Sequence, residues 1–332
     1  MSGPSNGAEA SRRDSSARFR ALPPLPNGSI VTVGSFDGVH LGHRAVLDEI
    51  ARRAESAGRA SVLVTFEPHP LEVVNPQAAP LLLTTGPERR EVLAQTPLDY
   101  VLFLRFDRRL AGLSPEEFVR DVLLARCGMR ELVIGHDHGF GRGRSGDVDT
   151  LRRLGARYGF EVDVVSPVDV GDQHVSSSRI RRAIAGGDLA TAARMLGRPY
   201  QLSGRVGQGE RRGRLIGVPT INLTEIPPQK LLPPDGVYAV RVEWRQGRAG
   251  GMMNQGPKPT FHDGRRALEA HLFGFEGELY GEWVRIEWVE RLRDVERFAS
   301  AELLQRQLES DRARALAVLA GTGLNPSGVT HA

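Results

Sequence analysis

Two histidines, His40 and His43, stand in the run Gly34-Ser35-Phe36-Asp37-Gly38-Val39-His40-Leu41-Gly42-His43. The run follows a short β-branched stretch, Ile30 to Val33, and opens an amphipathic pattern. At a helix N-terminus the free N–H groups and the dipole favour a phosphate. The i, i+3 spacing sets both imidazoles on one turn, facing one ligand. Gly34, Gly38 and Gly42 let the backbone approach that ligand closely. Such a turn could stabilise charge developing on a phosphate in transfer, and no covalent nucleophile is needed when the attacking group is itself a phosphate. Alone, the pair could equally be surface or metal-binding histidines. The flanking glycines and the strand-to-helix setting favour the phosphate reading.

Other segments add polar groups at element ends. Thr65-Phe66-Glu67-Pro68-His69-Pro70 ends an apolar run, where open α/β sheets bind ligands; it could also be a Pro-rich loop. Gly135-His136-Asp137-His138-Gly139-Phe140-Gly141 leads into Arg142 and Arg144, a glycine-rich loop with cations. Ser176-Ser177-Ser178-Arg179 begins another helical pattern; its hydroxyls, N–H groups and guanidinium suit a pyrophosphate, or simply an N-cap. Gly204 to Gly217 holds five glycines and four arginines, the makings of an anion-binding loop or of a plain basic hairpin, including Gly209, Gly213, Arg214 and Gly217. It lacks the Gly-Lys-Ser/Thr ending of a P-loop. Thr220 and Asn222, two residues apart on a strand, could hold magnesium beside nucleotide phosphates or merely satisfy a turn. In Leu268-Glu269-Ala270-His271-Leu272, alternation puts Glu269 and His271 on one sheet face. Glu269 is a strand carboxylate that could take a proton or simply face solvent; His271 reads as a packed or hydrogen-bonded strand histidine.

The elements that must position these groups fall into two regimes. Apolar runs at Ile30–Val33, Ser61–Phe66, Tyr100–Phe106, Glu131–Gly135 and Val162–Val165 alternate with helical patterns, which argues for a parallel α/β sheet. Val46, Ile50 and Ala54 line one face of a helix from about Gly42 to Ala57. Ser114-Pro115-Glu116-Glu117 is a capping box with Pro at the first helical position, and Gly128 is the expected stop. Past Tyr200 the runs Gln201–Val206, Val237–Trp244, Ala267–Phe273 and Glu282–Val289 read as an antiparallel barrel or sandwich. An amphipathic helix from about Ala301 to Leu319 follows, with Leu303, Leu304, Leu308, Leu316 and Leu319 as its stripe.

Composition narrows the class. The 332 residues suggest about two domains. Lys plus Arg number 44 against 40 Asp plus Glu, a net charge of +4 carried almost wholly by Arg. Acidic residues are spread among the arginines and aromatics are 6%, so nucleic acid is not expected as a partner. No apolar run is long enough to span a membrane, and the first 21 residues carry no secretory h-region. The one cysteine, Cys127, rules out an internal disulfide and fits a cytoplasmic protein.

The histidine run closely resembles the HxGH-type nucleotidyltransferase signature, in the form found in the bacterial bifunctional riboflavin kinase/FAD synthetase family. Thr65–Pro70 resembles that family's segment near flavin and nucleotide, which implicates Phe66, Pro68 and His69. The loop at Asp137-His138-Gly139 departs from the family's usual sequence, which carries an aromatic and an Arg there. Ser177-Ser178-Arg179 resembles its Ser-Thr-Arg segment. Val218-Pro219-Thr220-Ile221-Asn222-Leu223 resembles the riboflavin kinase signature. Asn254-Gln255-Gly256 through Pro259-Thr260-Phe261 and Leu292-Arg293 complete the likeness.

The resemblance implies a Rossmann-like nucleotidyltransferase domain followed by a small antiparallel β-barrel kinase domain with a C-terminal helix. The expected division is a tail at 1–26, an FMN adenylyltransferase at 27–186, a linker at 187–200, a riboflavin kinase at 201–320 and a tail at 321–332. It implies phosphorylation of riboflavin by ATP with Mg2+, giving FMN and ADP, then adenylylation of FMN to FAD with release of pyrophosphate. His40, His43 and Glu269 would be catalytic; Gly34, Phe36, Asp37, Gly42, Ser177, Ser178 and Arg179 would hold phosphates, with the loop residues Gly209, Gly213, Arg214 and Gly217. Phe66, Pro68, His69, Asp137 and Asn254 would meet flavin, Arg293 would approach flavin or a phosphate or else form a structural salt bridge, and Thr220 and Asn222 would meet the metal. Two other readings compete: a flavin-binding regulator with inactive sites, motivated by the altered loop, and a nucleotidyltransferase for another phosphate acceptor.

Overall fold

The structure, a computed structural model, describes residues 22–135, 147–208, 219–257 and 266–321, with the backbone of 330–331. The chain forms two compact units: one takes residues up to 79 with 90–168, the other 80–89 with those from 169 onward.

The first unit contains β1 (Ser29–Val33), α1 (Leu41–Ala57), β2 (Ala60–Glu67), α2 (Pro70–Val74), most of α3 (Gly86–Ala94), β3 (Tyr100–Arg105), α4 (Arg108–Ala111), α5 (Pro115–Phe118), β4 (Met129–Gly135), α6 (Val148–Tyr158) and β5 (Glu161–Val165). Its sheet is parallel throughout, in the order β3-β2-β1-β4-β5. Both faces are covered, which is why the strands read as continuous apolar runs. Successive residues serve opposite faces: Val31, Val33, Val62, Val64 and Ile134 join one core, while Ile30, Leu63 and Val133 pack on Val46, Leu47, Ile50 and Ala54 of α1. Ser114 and Glu117 form the expected capping box, and the helix continues with π-type turns over Val119–Leu124 before Gly128, at φ 58°, ends the segment. Arg53 of α1 pairs with Glu49, with Glu131 of β4 and with Asp163 of β5, fastening the helix to two strands.

Strand order reverses between β1 and β4. The chain builds outward from β1 to β3, then returns to lay β4 on the other side of β1. Beyond the C-terminal ends of two such strands lies an open crevice, the place where doubly wound sheets take ligands. The His40–His43 turn leaves β1 at that point.

The second unit carries a short hairpin, β6 (Asp169–Val170) and β7 (Gln173–His174), then α7 (Ser177–Ala185) and α8 (Leu189–Leu196). Next come β8 (Tyr200–Gly207), β9 (Ile221–Thr224), β10 (Gly236–Trp244), β11 (Gly247–Pro257), β12 (Arg266–Leu272), β13 (Trp283–Arg293), α9 (Ala301–Ala320) and β14 (Thr330–His331). The order β10-β13-β8-β9-β12-β11 is closed by pairing of β10 with β11, so the sheet is a six-stranded antiparallel barrel rather than a sandwich. Closure removes the edges that an open sheet would expose. Leu202, Tyr238, Val240, Met253, Leu268 and Trp288 fill the interior. On the outside, Ala315 and Leu319 of α9 cover Val237, Ala239, Met252 and Leu292.

Several expectations need correction. The N-terminal tail does not run to residue 26: Leu22 and Leu25 pack on the first unit's core, and the Gly28 N–H bonds to the Leu25 carbonyl at 2.9 Å. The C-terminal stretch from 321 is not wholly a tail, because β14 adds to β11. Leu303 is 49% exposed and lies outside the α9 stripe. The buried face of α9 includes Asp311 instead, which is 4% exposed. The strand β11 was not expected. Ile180, Ile184, Leu189, Ala192, Met195 and Leu196 share the barrel unit's core, so packing groups 169–200 with the barrel.

Candidate functional sites

The turn after β1 is tightly constrained. Phe36 (φ 48°), Gly38 (φ 85°) and Val39 (φ 40°) all take left-handed backbone conformations. For non-glycine residues that costs of order 1–3 kcal/mol each, and such residues cluster at functional sites. A Cβ at Gly34 would fall 2.9 Å from the Phe36 ring, so any larger residue would push that ring aside. Asp37, Phe36 and Val39 are buried, and the packed turn thereby presents the start of α1.

His40 is the N-cap of α1. Its Nδ1 accepts the His43 N–H at 3.3 Å. An accepting Nδ1 leaves Nε2 as the N–H donor of the neutral ring. The His40 and His43 rings stack with centroids 3.6 Å apart and planes 16° from parallel, and Phe36 flanks His43 at 4.6 Å. The two imidazoles thus stand together on the first turn of α1 at the strand-order reversal, and a helix start is where N–H groups favour an anion. Gly42 stands between them in the first turn of α1.

At the end of β2, Thr65 donates its hydroxyl to the Ser35 carbonyl at 3.2 Å, tying this strand to the histidine turn. Phe66 is a core residue, 7% exposed, meeting the Phe106 ring edge-on at 5.3 Å. Pro68 is exposed and His69 half-buried. His69 caps α2 in a reciprocal box with Glu72. Arg90 stacks over Phe103 at 3.9 Å and pairs with Glu67. Asp137 and its loop lie outside the described residues, as do Gly209, Gly213, Arg214 and Gly217.

In the second unit Ser176 caps α7, its Oγ accepting the Arg179 N–H at 3.4 Å. Ser177 and Arg179 are half-buried and Ser178 exposed. The Arg179 guanidinium donates to the His174 carbonyl at 3.3 Å.

The barrel supplies a row. Asn222 of β9 stands opposite Glu269 of β12, and Glu269 stands opposite Asn254 of β11. The row continues to Gly207 beyond Asn222, and through Val237 to Arg293. Directly opposed residues share a face, with Cβ atoms about 4.5–5.5 Å apart. Leu268, Ala270 and Leu272 point into the core, so the row lies on the outer surface. Asn222 is buried, Glu269 half-buried and Asn254 exposed. Thr220 stands one residue before β9, lining a cleft with Ile221, Ala270, Leu279 and Tyr280.

The donors near this row are neutral oxygens and one carboxylate. Among the described residues no group of three or more His, Cys, Asp or Glu could hold a metal. Hard oxygen donors in so small a number fit magnesium that arrives with nucleotide phosphates, because that ion keeps water and phosphate in its shell.

Arg293 is committed elsewhere. Its Nε and Nη2 bond both oxygens of buried Asp311 at 2.8–3.0 Å, and Gln307 donates to the same carboxylate at 2.8 Å. That bidentate pair fastens α9 to the barrel. Asp311 was not singled out from the sequence, although an acidic residue at i+7 from Leu304 in an apolar stripe signals a buried cation partner. His271 was read as structural; it donates Nδ1–H to the Pro219 carbonyl at 2.8 Å, and burial holds its pKa below the ordinary imidazole value.

Comparison with known proteins bears on both halves. Residues 22–179 match the FAD synthetase family and residues 196–319 the riboflavin kinase family. A bifunctional riboflavin kinase/FMN adenylyltransferase from Pseudomonas fluorescens is 38% identical over 300 residues, covering 90% of this chain and 96% of that one. One from Escherichia coli (strain K12) is 37% identical over 286 residues, covering 86% and 90%. A solved structure from Streptococcus pneumoniae, described as a macrolide-efflux protein, superposes with a TM-score of 0.79 at 31% identity, covering 88% of this chain and 95% of that one. Among the described residues no helix is long and apolar enough to cross a membrane. A regulator with inactive sites and a transferase for another acceptor are not favoured by these matches. Matched in both halves and in the same order over most of its length, the chain belongs to the bifunctional riboflavin kinase/FMN adenylyltransferase family: it makes FMN from riboflavin and ATP, and FAD from FMN and ATP.

Proposed function

We propose that riboflavin phosphorylation takes place on the outer face of the barrel, at the row Asn222–Glu269–Asn254. The observation that carries this reading is the register that sets Glu269 directly between the two asparagines. Glu269 accepts the proton of the ribityl hydroxyl as its oxygen attacks the γ-phosphorus of ATP; the bond to the bridging oxygen breaks and ADP leaves. Thr220 and Asn222 hold magnesium on the nucleotide phosphates, and the ion supplies charge neutralisation there. Asn254 orients flavin from the neighbouring strand.

Adenylylation belongs to the histidine turn. A phosphate oxygen of FMN attacks the α-phosphorus of ATP, the α–β bridging bond breaks, and pyrophosphate leaves. The attacking oxygen is already ionised, so no base is required. His40, His43 and the first N–H groups of α1 stabilise the charge gathering on the α-phosphate. Ser177, Ser178 and Arg179 are proposed as phosphate-binding residues on their motif alone. By motif, residues 27–186 hold the adenylyl-transfer segments, although those from 169 on pack with the barrel, and 201–320 carry phosphorylation, in the cytoplasm.

Chromatography of products from riboflavin, ATP and Mg2+ tests the sequence of steps. FMN appears first and FAD follows. Chelation of the metal stops FMN formation; an undiminished rate in excess chelator contradicts the metal assignment.

A further inference from the structure

We propose that His271 is a positioning residue for the kinase reaction: its imidazole fixes the Pro219 carbonyl and so holds Thr220 and Asn222 in place against Glu269. This inference rests on the assignment of nucleotide binding to Thr220 and Asn222.

Pairing between β9 and β12 covers Ile221 and Asn222. Thr220 precedes the strand and is not held by that ladder. Pro219 has no N–H of its own with which to continue the pairing. Its carbonyl instead receives the His271 Nδ1–H at 2.8 Å. The bond extends the tie between the two strands past Ile221, on the side where Thr220 lies. A carbonyl can only accept, so the ring carries its proton on Nδ1.

The clamp and the base share one strand and one face, two residues apart. The placement of His271 is itself over-determined. Its ring meets the edge of Phe273 at 5.7 Å, and the two planes cross at 71°. Behind it, a Cβ at Gly251 of β11 would fall 2.4 Å from the His271 carbonyl oxygen, so glycine there lets β12 come close. Burial favours the neutral form of the ring. A neutral ring adds no charge beside the nucleotide site. The same register that aligns Glu269 with Asn222 thus brings the histidine to the residue before Thr220.

Steady-state FMN formation by the full-length protein tests this, with MgATP and riboflavin varied separately. His271→Phe keeps an aromatic ring and removes the donor. His271→Asn keeps an N–H at the Nδ1 position. Thr220→Val tests the underlying assignment, and FMN-to-FAD conversion in each preparation reports intact protein. The loss of one such hydrogen bond predicts that His271→Phe raises the KM for MgATP about tenfold. The riboflavin KM changes little, and His271→Asn recovers most of the loss. If Thr220→Val raises that KM and His271→Phe does not, the clamp is wrong and the assignment stands. A wild-type KM in Thr220→Val overturns the assignment itself. A defect in His271→Asn as large as that in His271→Phe shows that an N–H at this position does not restore the clamp, which also overturns the proposal.

Discussion

Asn222 and Glu269 face each other across the β9–β12 ladder on the outer surface of the barrel. The amide is buried, and the carboxylate beside it is half-buried. Replacing the amide by Asn222→Ala removes an oxygen donor for the metal and leaves the base. The half-saturating Mg2+ concentration for FMN formation should rise, with FMN-to-FAD conversion unaltered. Titration of both activities with Mg2+ checks this, and an unchanged Mg2+ requirement argues against Asn222 as a ligand.

His43 stacks on His40 at the start of α1. His43→Ala should lower FAD formation by about 10²–10³-fold, the usual effect of removing one preorganised donor from a transition-state site. FMN formation from riboflavin should continue. Rates with FMN supplied directly separate the two activities; loss of both in folded protein would sink the two-site account.

Lys230 and Glu88 form a fully buried ion pair at 2.8 Å within the second unit. The ammonium also bonds the Leu83 and Gln201 carbonyls at 2.8 and 2.7 Å, and Glu88 accepts the Ser203 and Thr85 N–H groups, each at 2.8 Å. Removing one partner leaves a buried charge, which costs about 3–5 kcal/mol. Lys230→Met should therefore destabilise the protein by that amount, read from urea unfolding, whereas Lys230→Met with Glu88→Leu should be less harmful. A single variant within about 1 kcal/mol of wild type contradicts the reading.

Glu49 is held at a pKa of about 2 by hydrogen bonds from Arg52 and Arg53. A carboxylate depressed in the folded state stabilises it fully above its ordinary value of 4.5, and that contribution fades as pH falls toward 2. Unfolding midpoints measured from pH 6 to 3 should fall more steeply for wild type than for Glu49→Gln. Parallel slopes would remove Glu49 from the acid response.

The parallel sheet was legible because burial on both faces leaves β1, β2 and β4 rich in apolar residues, with Val62–Val64 and Leu132–Ile134 in succession, and the helix over 41–57 because Val46, Ile50 and Ala54 recur at its period. The strand β11 was hidden by Gly247, Gly250 and Gly251, which erase the alternation; the need for Gly251 lies in the backbone of His271, a neighbour that only the fold supplies. Motif residues marked both sites, but their order in the chain could not show that Asn222, Glu269 and Asn254 align across three strands. Arg293 carried a binding expectation, and its partner Asp311 emerges only when α9 docks. The Glu88–Lys230 pair joins positions 142 residues apart and left no local trace.

One carboxylate in the barrel should drive the first reaction and the histidine turn the second. Glu269→Gln in the full-length protein, assayed by chromatography with riboflavin or FMN as substrate, separates them. FMN formation should fall by about 10²–10⁴-fold, the contribution of a positioned base, while FAD formation from added FMN keeps its wild-type rate. FMN formation at the wild-type rate, or parallel loss of both activities in folded protein, would contradict that division.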